Sequence, residues 1–150
     1  MIGLVCPFGV SVSIHKRDGT TCFERIDPDA FTATIRSLTT PDGKPIPLTR
    51  GHRRRRQKWV ICDASSGLKL WSDERGLWLE APGKLPLDFS GISISLRPLR
   101  WRRLSMNSFL LLESGIRHIA LLTPPETPAY PQTFLASIKA SMAEKTTLEV

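Results

Sequence analysis

Apolar and polar residues alternate in short runs closed by turn residues, and this pattern restricts the fold more than any other feature of the chain. Val10, Val12 and Ile14 alternate with Ser11, Ser13 and His15, and Ile92, Ile94 and Leu96 alternate with Ser93 and Ser95. A period of two is the mark of a half-buried strand. After the first run, Lys16-Arg17-Asp18-Gly19 supplies a turn with an Asp-Gly hairpin signal, and Thr20 to Ile26 returns as a second strand. Three more short strands are expected at 59–62, 68–71 and 77–80, separated by Ser-Ser-Gly and Ser-Asp-Glu-Arg-Gly turns. Phe109 to Leu112 and Ile116 to Leu122 are expected to pair as a hairpin around Glu113-Ser114-Gly115.

Two stretches carry a helical pattern instead. Asp27 offers a side-chain acceptor, Pro28 suits a first helical position, and Phe31, Ile35 and Leu38 form one stripe, so a helix is expected over about 28–38. Pro131 opens a second over about 131–143, with Phe134, Leu135, Ile138 and Met142 on its apolar side. The expected class is therefore α+β: a mainly antiparallel sheet or half-barrel of short strands with two amphipathic helices. A chain of 150 residues is expected to form a single domain, 1–150. The segments PDAFTATIR and PQTFLASIK match in pattern, which suggests duplicated hairpin-helix units at about 8–38 and 108–143. In element order alone, the short strands and closing helix of the second half resemble pleckstrin-homology-like half-barrels. No residue motif accompanies that resemblance, and it implies no activity.

Charge is the main clue to a partner. The formal net charge is +7, and its distribution is uneven. Seven Lys or Arg and no acid lie between Gly43 and Cys62, and four Arg and no acid lie between Phe89 and Leu112; the rest of the chain has an excess of acids. The first cluster belongs to a Pro-rich stretch, 39–56, expected to be an exposed basic loop. Its candidate binding residues are Arg50, Arg53, Arg54, Arg55, Arg56 and Lys58, with Trp59 beside them. The second cluster is Arg97, Arg100, Trp101, Arg102 and Arg103. Guanidinium grips phosphate through a planar fork, and Trp59 or Trp101 offers a stacking face. Nucleic acid, held through phosphates with low sequence specificity, is the favoured ligand. The alternative is an accessory or adaptor subunit docking on an acidic protein surface of a larger assembly, and the third reading is peripheral binding to anionic membrane. Each feature also has a plainer explanation. A charge run can be a solvated loop, a strand tryptophan can be a sheet-face residue, and arginines on an edge strand can blunt edge pairing.

Enzymatic signatures are missing from the sequence. It contains no GxSxG, HExxH, P-loop or GxGxxG, and His15, His52 and His118 stand far apart. No catalytic activity, metal or cofactor is expected. Cys6, Cys22 and Cys62 are odd in number without a CxxC pair, which fits buried free thiols in a reducing compartment. No apolar run approaches ~20 residues, so no membrane span is expected and a cytoplasmic location is.

Overall fold

The computed structural model describes residues 1–14, 18–52, 59–83, 89, 91–123 and the backbone of 15 and 134–136. In chain order its elements are β1 (Ile2–Pro7), β2 (Val12–His15), β3 (Thr21–Ile26), α1 (Thr32–Ser37), β4 (Pro47–Arg50), β5 (Val60–Asp63), β6 (Lys69–Ser72), β7 (Gly76–Glu80), β8 (Gly91–Ser105), β9 (Ser108–Leu122) and β10 (Phe134–Ala136). One sheet runs β10-β1-β7-β6, and the other runs β2-β3-β9-β4-β5 with β8 also paired to β9. Leu77 and Leu79 from the first sheet and Leu48, Ile92, Ile119 and Leu121 from the second belong to one contiguous apolar core.

Strand β9 organises the second sheet. Along one edge it pairs antiparallel with β8 from Gly91↔Leu122 to Ser105↔Ser108. Its other edge is shared: β3 runs parallel to residues 108–111, and β4 runs parallel to residues 119–121. Between those two ladders the β3–β4 connection lies against β9. Asp27 N–H donates to Leu111 O, Ser114 N–H donates to Ala30 O, and Thr34 Oγ1 donates to Ser114 O at 2.9 Å. The expected hairpin around Glu113-Ser114-Gly115 does not form, because those residues continue the ladder opposite Arg100, Pro98 and Arg97. Gly115 serves a close approach rather than a turn. A Cβ there would lie 2.8 Å from the Pro41 ring.

The α+β class with two amphipathic helices is thereby corrected to a mostly β fold, with one short helix and one 3₁₀ turn among the described residues. Helix α1 covers only six residues of the expected 28–38. Asp27 does not cap it; Ala30 and Thr32 N–H donate to Asp27 O and Asp29 O, forming turns whose remaining groups bond to β9. The helix begins after Phe31 without a side-chain cap and stops at Leu38, a non-glycine residue in the left-handed region at φ 55°. The expected stripe does face inward: Phe31 is buried, and Ile35 and Leu38 pack on the core.

The second expected helix lies mostly outside the described residues. Its described part, 134–136, is strand β10 and pairs antiparallel with Ile2 to Leu4 of β1. A short apolar run fits strand or helix by periodicity, and an available edge of β1 decides for strand. The helical half of the second duplicated unit therefore does not hold at 134–136. Likeness to a half-barrel closed by a helix also lapses there. Within 39–56, Pro47–Arg50 form β4, with Ile46, Leu48 and Thr49 fully buried, and 53–56 lie outside the described residues.

Candidate functional site

The β8–β9 hairpin turns at Met106-Asn107, and its half nearest that turn is unusually exposed. Every residue from Arg97 to Asn107 is exposed, although the strand is fully paired on one side. Six large apolar side chains are exposed among the described residues: Phe23, Val60, Leu99, Trp101, Leu104 and Met106. All but Val60 lie on this half of the hairpin or directly beside it, since Phe23 pairs with Ser108 and its N–H donates to Asn107 O. Met106 is 89% exposed and Trp101 59%.

The arginines of the second cluster are interleaved with these apolar groups. Arg100 meets Glu113 across the hairpin at 3.6 Å, and the Arg103 guanidinium lies 5.6 Å from the centroid of the Phe109 ring. Arg102 and Arg103 pair in succession with Leu110 and Phe109, so their side chains leave opposite faces of the sheet. Cations and apolar groups therefore surround an edge strand rather than tile one flat face. Pro98 and register shifts near Leu99 and Leu104 interrupt the strand, which blunts it as a template for another strand. Side chains, not an open backbone edge, are what this surface presents.

Arg50, the described cation of the first basic cluster, lies elsewhere. Arg50 pairs with Leu121 on β9, whereas Arg97 to Arg103 pair with residues 115 to 109. At about 3.3 Å per residue, roughly 20 to 40 Å of strand separates Arg50 from Arg97 to Arg103. Arg53, Arg54, Arg55, Arg56 and Lys58 lie outside the described residues. The residues that flank them are held firmly: Arg50 N–H donates to Trp59 O, and the Trp59 indole N–H donates to Gly51 O at 3.1 Å. The Arg50 guanidinium sits over the Phe89 ring at 5.5 Å. The Trp59 ring, half-buried, meets His118 edge-on at 5.2 Å. Trp101, in contrast, keeps most of its surface in water.

A cluster with no sequence signal lies beside Trp59. His52 Nδ1 is 2.9 Å from His118 Nε2, and His52 Nε2 is 2.7 Å from Ser93 Oγ. Burial, then the neighbouring His52 and Arg117, holds the His118 ring down to about 4, so it is neutral at physiological pH. The two histidines are 66 residues apart in the chain, and only the β4–β9 register brings them together.

The three cysteines are free, and burial raises the thiols of Cys6 and Cys62 above their ordinary range. Among the described residues no three His, Cys, Asp or Glu side chains converge as metal ligands. Nor is any helix among them long and apolar enough to cross a membrane. No protein-family model matches the chain, and comparisons with curated proteins and with solved structures find no similar protein.

Proposed function

We propose that this chain is a docking module that inserts the exposed half of its β8–β9 hairpin into an acidic cleft on a partner protein. The observation that carries this reading is the mixture on one strand: exposed Leu99, Trp101 and Leu104 alternate with exposed arginines, and Met106 caps the turn. Tryptophan and arginine are the side chains that most often dominate protein interfaces, and methionine is enriched there too. Large exposed apolar side chains gathered on one hairpin of a folded domain cost solubility unless something covers them. Cations on both faces of the strand favour a cleft over a flat surface. Phosphate contacts alone would leave the leucines and Met106 in water, so the order of preference drawn from charge alone is reversed here.

A second reading rests on Trp101, which is exposed between arginines and free to stack on a base. Capture from a native-cell lysate separates the two readings. The bait is the whole chain, with and without nuclease, compared with Trp101→Ala and Leu104→Ser variants. A protein retained after nuclease and lost with either variant supports docking. Retention that disappears with nuclease, matched by oligonucleotide binding in an anisotropy titration, would replace docking with nucleic-acid binding.

A further inference from the structure

Ser93, His52 and His118 form a hydrogen-bonded chain that the docking surface does not use. His52 follows β4, Ser93 lies on β8 and His118 on β9, so three elements hold it in place. The strand register adds support: Ser95 pairs with His118 and Ser93 with Ala120, which sets Ser93 and His118 on one face of the sheet. A hydroxyl within reach of an imidazole that is itself held by a third group is the arrangement that activates a serine nucleophile. Both contacts are satisfied when Ser93 O–H donates to His52 Nε2 and His52 Nδ1–H donates to the His118 Nε2 lone pair. The neutral state of His118 keeps that lone pair available at physiological pH. Among the described residues, the groups facing His118 are the His52 and Trp59 rings, with Arg117 beside it in the strand.

We infer that Ser93 is a nucleophile toward small activated acyl esters, with His52 as its general base and His118 as a positioning residue. Ser93 Oγ would attack the ester carbonyl carbon while its proton passes to His52 Nε2. Collapse of the adduct breaks the bond to the leaving alcohol, which takes that proton from His52. Water, deprotonated by His52, then attacks the acyl-serine; the carboxylic acid departs and Ser93 regains its proton. Ester and water give acid and alcohol, with no other reactant. Ser93 is 6% exposed while His52 is exposed, so the reach is limited to a small acyl group such as acetyl.

The test uses p-nitrophenyl acetate and the whole chain. A burst of about one nitrophenolate per chain is expected, with the acetyl group mapped by mass spectrometry to the peptide containing Ser93. Ser93→Ala and His52→Ala should reduce acylation by about 100-fold or more. His118→Phe should slow it by about tenfold and move its pH profile, since a merely structural role would leave the profile in place. Circular dichroism checks that each variant is folded. As Ser93→Ala could disturb the strand, the unmodified protein is also treated with a fluorophosphonate, whose adduct must map to Ser93. Acetylation confined to lysines or the chain terminus, a burst that survives in folded Ser93→Ala, or a fluorophosphonate adduct elsewhere would each overturn the inference.

Discussion

Gly76 opens β7 opposite Pro7 of β1, and an added Cβ would lie 2.1 Å from the Cys6 carbonyl oxygen. Backbone cannot yield there as a flexible side chain would. Gly76→Ala should therefore destabilise the protein by about 2–3 kcal/mol, read as a lower urea midpoint at unchanged slope. Stability within ~0.5 kcal/mol of the parent would mean that β1 and β7 are not so closely paired. His118 makes a second prediction at this scale. Its folded value is depressed to about 4 from an ordinary 6.5. Between those values the unfolded chain binds more protons, so stability is full above pH 6.5 and falls as pH drops toward 4. The ring is half-exposed and partly screened, which limits the effect to about 1 kcal/mol. Unfolding free energies of the parent and His118→Phe, measured from pH 7.5 to 4, should show the parent losing about that amount relative to the variant as pH falls. A constant difference across the range would show that His118 titrates as an ordinary histidine.

For the β8–β9 hairpin, stability and binding should separate. Trp101, Leu104 and Met106 have little to lose on folding because they are exposed in the free protein. Replacing each by serine should change unfolding free energy by no more than about 0.5 kcal/mol while removing partner capture. A large loss of stability would instead make the patch part of the fold. The alternation that marks strand β8 was legible from Ile92 to Leu96, as was the basic cluster that follows it. The continuity of β9 was not, because Glu113-Ser114-Gly115 has turn composition. Its glycine answers to Pro41, a contact set by tertiary structure. β1 shows no alternation because it is paired on both edges and buried along nearly its whole length. The 28–38 stripe correctly marked the face that packs, but β9 claimed the backbone groups of the expected first turn. The two basic clusters were legible residue by residue, whereas the distance of Arg50 from the second cluster along β9 and the His52–His118 contact needed the parallel β4–β9 pairing.

Along the whole chain, positive charge is concentrated in two separate stretches of an otherwise mildly acidic sequence. Long-range attraction to an acidic partner should therefore depend on salt, while the apolar groups of the hairpin should retain part of the affinity. Raising salt from about 0.05 to 0.3 M should weaken capture without abolishing it, whereas purely phosphate-directed binding would fall by orders of magnitude. The most direct measurement is site-specific photocrosslinking in native cells, with a benzophenone amino acid at Met106 and a control at the exposed Ser65. A discrete, nuclease-resistant protein adduct from position 106, absent from position 65, is the expected result. Adducts to nucleic acid alone, or the same adducts from both positions, would contradict docking through the hairpin.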